Sequence, residues 1–415
     1  MFFAYRILTN LILILSPLII FIRLLKKKEH PKRFKEKFGF YTKKKFKGKL
    51  IWFHGASVGE ILSIIPLIES LEKNKEINQI LITTNTLSSS KILSNLKLKK
   101  TIHQFFPIDT NYHTQKFLKY WKPSVAVFID SEIWPNMITN IKKTPISLIL
   151  MNARITDKSF KRWKLFKSYA KKIFFNFDIC LSSSHKSKKY LKSLGAKNIK
   201  HVGNLKFTQS EKNITFLKND LKKFFLSKRI WCASSTHNTE EFICANVHKK
   251  LKIKYKNLLT IIIPRHIHRT EEIINEMKKL NLNIHLHNSK NKIDKDTDIY
   301  LVNSFGQTKS FFKVCKTVFL GGSMIKHGGQ NPLEAARFGC KILHGPNVWN
   351  FDEIYDLLRK NKVSRKIINS NQLSLNVDKM LNNKNKYRSL ENKIKNLGNK
   401  ILISTLSEIN FYINK

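Results

Sequence analysis

Residues 318–336 read VFLGGSMIKHGGQNPLEAA. A short apolar run ends in two glycines, a second glycine pair follows, and a helix-like segment opens with Pro332 at its first turn. A strand, a glycine-rich loop and a helix N-terminus together hold phosphates or nucleotides, because backbone N–H groups and the helix dipole attract anions. Glu334, one turn in, is placed to accept hydrogen bonds from ribose hydroxyls. A plain strand-to-helix turn fits the same pattern, since glycine turns are common.

The same alternation of short apolar runs and helical stretches recurs on both sides of this segment. Strands are predicted at 50–54, 80–84, 124–129, 146–150, 179–181, 201–207, 229–233, 258–263, 298–302 and 341–343. Each run ends in polar residues, and the first leads into Gly55 and Glu60 before a helix over about 61–71. Such a pattern favours parallel, doubly wound sheets with ligands at the carboxyl ends of the strands. Glu60 is either a catalytic carboxylate there or an acid favoured by the helix dipole.

The organisation along the chain follows from these patterns. We predict a membrane anchor at 1–28, a basic membrane-proximal segment at 29–49, an N-terminal Rossmann-like domain at 50–210, a C-terminal Rossmann-like domain at 211–370 and a helical tail at 371–415. The polar, lysine-rich residues 208–228 are interpreted as a linker followed by a helix.

The composition is strongly basic, with 77 Lys and Arg against 28 Asp and Glu and a net charge of +49. Such an excess can indicate nucleic acid, an anionic membrane or an acidic substrate. The lysines are spread along the whole chain, which favours the compositional drift of an AT-rich genome over one basic patch. Five cysteines without a C-x-x-C pair fit a reducing compartment and argue against a structural zinc site.

Residues 7–25 are almost entirely apolar and nearly long enough to span a bilayer, which needs about 20 such residues. Lys26, Lys27 and Lys28 follow directly, so the positive-inside rule places the rest of the chain in the cytoplasm. A membrane anchor is favoured over a buried core helix, and Pro17 leaves a spanning and an in-plane anchor both open. The basic residues 29–49 are either a collar on anionic headgroups or a solvated connector.

Eight motifs in order resemble the bacterial 3-deoxy-D-manno-oct-2-ulosonic acid (Kdo) transferases of lipid A biosynthesis. The resemblance runs from the N-terminal anchor to about residue 360. It is carried by Phe38–Tyr41, Ser57–Glu60, Glu132–Asn136, Asn152–Arg154, Gly203–Phe207, Ser235–His237 with Glu240 and Glu241, Pro264–His266, and Gly321–Ser323 through Gly328–Glu334.

The resemblance implies a GT-B fold, in which two Rossmann-like domains face each other across a cleft. It implies an inverting transfer of Kdo from CMP-Kdo to the lipid A precursor (lipid IVA), without metal or other cofactor. Glu60 then matches the general base, and Asp130 and Lys206 match positions that stabilise the transition state; a strand-end ion pair is the other interpretation of the last two. The implied partners are the donor, the acceptor and anionic lipids at the cytoplasmic face of a bacterial inner membrane, and not nucleic acid.

The C-terminal domain is expected to bind CMP. The matching positions are Pro264, Arg265, Phe305, Gly306, Gln307, Asn331, Pro332, Leu333 and Glu334. His237 and Ser235 are expected near the same cleft, although a structural histidine is an equal interpretation of His237. Four residues depart from the family pattern: Gln330 replaces a usual His, Asn303 and Gln307 replace Asp and Glu, and Asp130 replaces Glu.

Two other functions fit parts of this sequence. Another GT-B enzyme with a different nucleotide sugar shares the glycine loop and Glu334, but the Ser57–Glu60 turn and the motif register favour Kdo. A non-enzymatic basic protein that binds nucleic acid or membrane explains the charge, yet its basic residues are expected to cluster with aromatic residues on one face.

Overall fold

The computed structural model describes residues 1–96, 98–209, 217–289, 291–382 and 387–415. The chain forms two compact units, Met1–Gln209 with Gly398–Lys415, and Ser210–Leu397. The linker predicted within 208–228 lies partly on residues 210–216, outside the described residues.

The first unit is built on a parallel sheet with the strand order β3-β2-β1-β4-β5-β6-β7. Its strands are β1 (Leu50–His54), β2 (Gln79–Thr84), β3 (Thr101–Phe105), β4 (Val125–Ile129), β5 (Ser147–Ala153), β6 (Ile179–Ser182) and β7 (Ile199–His201). Its helices are α1 (Phe2–Leu25), α2 (Val58–Leu71), α3 (Leu87–Ser94), α4 (Asn111–Trp121), α5 (Pro135–Ile141), α6 (Asp157–Leu165), α7 (Lys167–Phe174) and α8 (His185–Ser193). The order of the strands reverses between β1 and β4, which makes that position the topological switch point where α/β sheets bind ligands.

The second unit repeats the plan with the order β10-β11-β9-β8-β12-β13-β14, also parallel. Its strands are β8 (Arg229–Thr236), β9 (Leu258–Pro264), β10 (Ile284–Leu286), β11 (Ile299–Leu301), β12 (Thr317–Leu320), β13 (Lys341–His344) and β14 (Ser364–Lys366). Its helices are α9 (Asn219–Leu226), α10 (Glu240–Lys252), α11 (Thr270–Lys279), α12 (Thr308–Val314), α13 (Leu333–Arg337), α14 (Asp352–Lys360) and α15 (Ser370–Leu381), followed by α16 (Tyr387–Asn414). The switch point lies between β8 and β12.

The central strands are the apolar runs read from the sequence, because strands covered on both faces need no polar alternation. The edge strands β3, β10 and β14 were not predicted, since they are short and half polar. The strand predicted over 201–207 is wrong in part. β7 ends at His201, Gly203 has φ +100°, and residues 205–208 form a 3₁₀ turn in which the Asn204 side chain accepts the N–H of Lys206.

The C-terminal tail is helical, as expected, but its last part belongs to the first unit. A Cβ at Gly398 of α16 would lie 2.4 Å from the Phe207 carbonyl oxygen, so glycine permits the close approach of helix and turn. Further along α16, Lys200 pairs with Glu408, and Lys49 donates to the Ile413 carbonyl at 3.1 Å. The 3₁₀ turn that carries Lys206 is therefore supported by residues almost two hundred positions later.

Candidate functional site

Glu60 is the third residue of α2, which follows β1 at the switch point of the first sheet. Its carboxylate accepts the N–H groups of Ala56 at 2.8 Å and Ser57 at 3.4 Å, and the Ser57 hydroxyl at 2.7 Å. The Ser57 oxygen in turn accepts the Glu60 N–H, which completes a capping box at the start of α2. The helix therefore begins at Val58, three residues before the predicted start.

The capping box does not bury Glu60. Its side chain is half-buried, Ser57 and Gly59 are exposed, and a Cβ at Gly59 would meet nothing within 4 Å. A carboxylate held by three hydrogen bonds beside open space has a fixed direction and an accessible surface. Glu60 therefore caps the start of α2, and the same geometry leaves its carboxylate accessible.

Asp130 follows β4, the strand next to β1, and is 9% exposed. Its φ is +60°, and Asn152 at the end of the adjacent β5 has φ +52°. Non-glycine residues in this left-handed region are uncommon, and they cluster at functional sites where surrounding contacts hold them. Here the Asp130 backbone is held between the sheet and the next loop, because it donates to Met151 and accepts from Arg154.

The turn that carries Lys206 lies at the same edge of the sheet, after the last strand of the unit. The 3₁₀ turn of residues 205–208 packs against α2, whose first turn carries Glu60. The Asn152 side chain accepts the N–H of Leu205 at 2.9 Å, which ties the turn to β5. The structure thus gathers the segments that carry the three predicted catalytic residues at the carboxyl edge of one sheet.

The buried His54 and the partly buried Glu132 form a pair beside this edge that sequence reasoning did not identify. The His54 Nε2 atom at the end of β1 lies 3.3 Å from Glu132 Oε2, and the Trp134 indole N–H donates to the same oxygen at 2.8 Å. Burial works to raise the pKa of Glu132, but the contacts with His54 and Trp134 outweigh it and lower that pKa overall. The E-I-W-P-N motif, residues 132–136, therefore connects the loop that carries Asp130 to β1 through the Glu132 carboxylate.

In the second unit, the loop that begins with Gly321 and Gly322 binds the carboxylate of Glu240. The Glu240 carboxylate accepts the N–H groups of Gly322 at 2.6 Å, Ser323 at 3.0 Å and Met324 at 2.9 Å. It also accepts the N–H of His237 at 3.0 Å, and it is fully buried. The expectation that these glycines expose N–H groups to a ligand is therefore wrong for residues 322–324.

The sequence pattern shows Glu240 only as part of a motif. One signal for its role is the spacing, because Glu240 stands three residues after His237 as Glu60 stands three residues after Ser57, although Glu240 is the first residue of α10 and Thr239 is the N-cap of that helix. Gly321 is required for a different reason. A Cβ at that position would lie 2.5 Å from the Ser235 carbonyl oxygen.

The second part of the stretch forms a tight turn before α13. Gly328 and Gly329 have φ of +99° and +77°, and the Asn331 side chain accepts the N–H of Leu333 at 3.1 Å. Pro332 is the N-cap of α13 and stands just before its first turn. The sequence pattern predicts Pro332 within that turn, so the helix begins one residue later than predicted. The helix is only five residues long, and Glu334 is half-buried in its first turn.

Gln330, which departs from the family pattern, has a defined contact. Its Nε2 lies 3.2 Å from His237 Nε2, and its carbonyl oxygen accepts the Tyr355 hydroxyl at 3.0 Å. An amide N–H can donate only to an unprotonated ring nitrogen, so this contact favours neutral His237. Burial, with His327, His266 and nearby arginines, lowers the pKa of His237 to about 4.

Cationic and imidazole side chains collect around His237. The ring of His327 lies 4.2 Å from that of His237, His266 lies 5.4 Å from His237, and His268 lies 5.5 Å from His266. Arg265 follows Pro264 at the end of β9, next to β8, and its side chain is exposed. Within the described residues, no three histidine, cysteine or acidic side chains are arranged to hold a metal. This cluster suits an anion.

Phe305, Gly306 and Gln307 follow β11, on the other side of β9. Phe305 is 71% exposed, Gly306 has φ +81°, and Gln307 lines a cavity of about 850 Å³ with His287 and Tyr300. The Asn303 side chain accepts the N–H of Asn288 at 3.1 Å, so this replacement has a local structural role. Three strand spacings, about 14 Å, separate β11 from β12. The predicted nucleotide residues therefore lie along one edge of one sheet.

The chain has two α/β units, each with a seven-stranded parallel sheet and an ordered loop at its switch point. These features define a protein of the GT-B fold class. A solved UDP-N-acetylglucosamine 2-epimerase from Neisseria meningitidis, bound to UDP-GlcNAc, shares this fold at 12% identity. It matches 88% of this chain and 99% of its own, with a TM-score of 0.54.

Sequence comparisons identify the family. Residues 32–209 match the family model of 3-deoxy-D-manno-octulosonic-acid transferase (kdotransferase). The 3-deoxy-D-manno-octulosonic acid transferase of Rickettsia bellii is 34% identical over 374 residues, which are 89% of this chain and 88% of the relative. That of Haemophilus influenzae is 29% identical over 358 residues, 84% of each chain. The chain belongs to the 3-deoxy-D-manno-octulosonic acid transferase family.

Membership confirms the resemblance and makes the protein a glycosyltransferase. The alternative of a non-enzymatic basic protein is therefore wrong.

Proposed function

We propose that the protein transfers Kdo from CMP-Kdo to the lipid A precursor lipid IVA with inversion at the anomeric carbon, and that Glu60 is the general base. The observation that carries this proposal is the Glu60 carboxylate itself. It is fixed by Ala56 and Ser57, stands at the switch point of the first sheet, and borders the open space at Gly59.

The chemistry requires such a base, because a neutral sugar hydroxyl is a poor nucleophile. Glu60 takes the proton of the acceptor hydroxyl while its oxygen bonds to the anomeric carbon of Kdo. The bond from that carbon to the CMP phosphate breaks, and its electron pair leaves with the phosphate. Attack opposite to the leaving group inverts the configuration.

Asp130 and Lys206 are proposed to stabilise the charges of this transition state. A lysine ammonium can neutralise the Kdo carboxylate or the departing phosphate, and a carboxylate can support the oxocarbenium-like sugar. The left-handed backbone of Asp130 and the supported turn of Lys206 favour these roles, since preorganised groups need no rearrangement during the reaction.

CMP is proposed to bind along the β11–β9–β8–β12 edge of the second unit. Arg265 and the neighbouring imidazoles face the phosphate, Glu334 accepts from the ribose, and residues 305–307 contact the cytosine. The fixed Glu240–glycine contact supports this role by shaping the loop, while the positive charge of Arg265 supplies the attraction for an anion.

The acceptor carries phosphates and acyl chains, so it lies in a membrane. Among the described residues, α1 is the one helix long and apolar enough to cross a bilayer. We propose that α1 attaches the enzyme to anionic lipids at the cytoplasmic face of the bacterial inner membrane. The lysines at 26–28 support this orientation by the positive-inside rule.

A transfer assay tests the proposal. The purified protein is incubated in mixed micelles with lipid IVA and either CMP-Kdo or a UDP-sugar. The mass of the lipid product is then measured by mass spectrometry. We expect one or more Kdo masses with CMP-Kdo and an unchanged acceptor with UDP-sugars. Transfer from a UDP-sugar alone would establish the alternative donor and overturn the assignment of CMP-Kdo.

A further inference from the structure

Helix α1 has two faces of opposite character along its entire length. The covered face repeats every three or four residues and consists of Phe2, Tyr5, Arg6, Thr9, Leu13, Ser16, Ile20, Arg23 and Leu24. Thr9, Ser16 and Ile20 on this face are buried. Because the repeat matches the 3.6-residue period of a helix, one continuous stripe of α1 lies against the first unit from its first turn to its last.

The N-terminal half of this stripe is held by polar contacts. The Tyr5 hydroxyl donates to Asp109 at 2.7 Å, and Arg6 donates to Asn111 at 3.0 Å and to Asn136 at 3.3 Å. Asp109 also accepts the backbone N–H groups of Asn136 and Met137, so it is itself fixed at the start of α5. These groups belong to the globular body and are hydrophilic, so this part of the body does not lie inside hydrocarbon.

The C-terminal end of α1 is tied to the same body. Arg23 pairs with the buried Glu29 at 3.0 Å, and Lys37 pairs with the same carboxylate at 2.8 Å. The segment that follows is bound to the edge strand β3. The buried Glu36 accepts the N–H of Phe105 at 2.8 Å, and Arg33 donates to the His103 carbonyl at 2.8 Å.

These two attachments set the direction of the helix. Arg6 and Arg23 are 17 residues apart, about 26 Å along a helix that rises 1.5 Å per residue. That distance is close to the hydrocarbon thickness of a bilayer, about 30 Å. A helix that spans the bilayer would hold one end on each side, but both ends of α1 contact the same water-soluble body. The helix continues through Pro17, so one helix carries both attachments.

The opposite face of α1 is apolar and exposed. It carries Phe3, Ile7, Leu8, Leu11, Ile12, Ile14, Leu15, Leu18, Ile19, Phe21, Ile22 and Leu25. The exposed Lys26, Lys27 and Lys28 follow at its end. An apolar face that ends in cations complements a membrane surface with acyl chains below and anionic headgroups above.

A second exposed apolar corner adjoins the first turn of α1. The ring of Phe2 lies 6.3 Å from that of Tyr169 in α7, and the junction of α6 and α7 just before it exposes Leu165 and Phe166. Exposed basic residues surround this junction: Lys161, Arg162, Lys164 and Lys167. Two elements of one unit therefore share the composition of an interfacial contact.

We propose that α1 lies in the plane of an anionic bilayer surface, with its polar stripe on the protein and its apolar face among the upper acyl chains, and that the Leu165–Phe166 corner inserts beside it. This geometry rests on the proposed membrane attachment and specifies its form: an in-plane anchor, not a span.

Depth measurements test the geometry. Cysteines are introduced singly at Leu8, Ile14 and Ile22, at the beginning, middle and end of the exposed face. They are spin-labelled on the full chain, bound to vesicles of phosphatidylethanolamine and phosphatidylglycerol. The five native cysteines are buried, and burial raises the pKa of the Cys180 and Cys340 thiols, so labelling favours the introduced sites.

An in-plane helix gives three similar, shallow depths in oxygen and nickel accessibility. A depth maximum at Ile14 with water-accessible labels at both ends would overturn the in-plane geometry while leaving membrane attachment intact. Failure of the wild-type chain to bind these vesicles would overturn the attachment itself. Neither outcome depends on the transfer reaction, so the donor and the general base are tested separately.

A matched pair of variants tests the corner. Leu165→Asp and Ile253→Asp change side chains of equal exposure, 77% and 76%, in the first and second units. We expect Leu165→Asp to weaken vesicle binding several-fold and Ile253→Asp to leave it unchanged, with CMP binding intact in both. Equal vesicle binding by Leu165→Asp and the wild type would remove the corner from the proposed surface.

Discussion

The two switch points use the same device for different purposes. In the first unit a strand ends, a capping residue follows, and Glu60 stands three residues after Ser57. In the second unit Glu240 stands three residues after His237 in the same way. Each glutamate accepts the backbone N–H of the residue three positions earlier, at 3.4 Å for Ser57 and 3.0 Å for His237.

The remaining contacts of the two carboxylates differ. Glu240 is fully buried and crosses to the neighbouring strand, where three N–H groups of the glycine loop bind it. Glu60 makes contacts only within its own turn among those described, and it stays half-exposed. A glutamate at a switch point therefore has a structural role when a second loop encloses it, as for Glu240. It is a candidate catalytic residue when its carboxylate stays accessible, as for Glu60.

The largest expected effect comes from removing the accessible glutamate. Glu60→Ala is expected to lower kcat for Kdo transfer by about 10² to 10⁴, the usual contribution of a general base. Loss of the capping box costs only about 1 kcal/mol of folding free energy. Single-turnover transfer and urea unfolding measure the two quantities on the same preparation.

Ser57→Ala is the matched control for this variant. It removes the hydroxyl that caps α2 but keeps the carboxylate, so most activity is expected to remain. If both variants lose activity equally, the cap and not the base accounts for the effect, and the role of Glu60 is structural.

The buried glutamate is expected to show the opposite profile. Glu240→Ala leaves four backbone N–H groups without their acceptor, each costing about 1–3 kcal/mol when unsatisfied. We expect the second unit to lose at least about 3 kcal/mol of stability and CMP binding to fall with it. Glu272→Ala, at an exposed glutamate of the same unit, is expected to unfold at the wild-type urea concentration. An unchanged urea midpoint in Glu240→Ala contradicts the anchoring role.

Glu334→Ala has a smaller expected effect. Loss of hydrogen bonds to the ribose is expected to weaken CMP binding about tenfold, or about 1.4 kcal/mol. Isothermal titration with CMP and with its 2′,3′-dideoxy analogue isolates this contribution, because the two ligands differ only in the ribose hydroxyls. Equal CMP affinity in variant and wild type would exclude Glu334 from the ribose contact.

The smallest expected effect is a pH dependence. The pKa of His237 is lowered to about 4, so free His237 stays neutral at pH 5–7. A bound phosphate favours the protonated ring and raises that pKa, so the complex binds more protons than the free protein. Affinity for CMP is therefore expected to rise a few-fold as pH falls from 7 to 5.

His237→Asn is the control, because the phosphate of CMP itself titrates near pH 6. The difference between the pH profiles of wild type and variant isolates the histidine. Identical profiles would show that His237 does not take up a proton when CMP binds, as expected of a purely structural residue.

Much of this architecture could be predicted from the sequence. The central strands are continuous apolar runs, and each ends in the polar or glycine residues that the site uses. The edge strand Thr101–Phe105 could not be found this way, because three of its five residues are polar and its backbone is held at the edge of the sheet by contacts with Arg33 and Glu36. Motifs gave the position of Glu60, but they could not separate its accessible carboxylate from the enclosed one of Glu240.

The remaining differences come from contacts between distant parts of the chain. The glycine pair at 321–322 indicates a close approach, but nothing local shows that the approaching anion is Glu240, more than eighty residues earlier. The contacts of the polar stripe on α1 likewise could not be predicted from the local sequence. Tyr5 and Arg6 contact Asp109 and Asn111, which lie about a hundred positions later in the chain.

The support of the Lys206 turn by α16 has a consequence for the order of synthesis. Helix α1 is synthesised before the second unit, yet residues 398–415, which belong to the first unit, are synthesised after it. At about 5–20 residues per second, translation from residue 209 to residue 415 takes about 10–40 s. During that interval the second unit can fold from a continuous segment, while the turn behind the proposed acceptor site lacks its support. A nascent chain can thus meet the membrane before it is able to act on a lipid there.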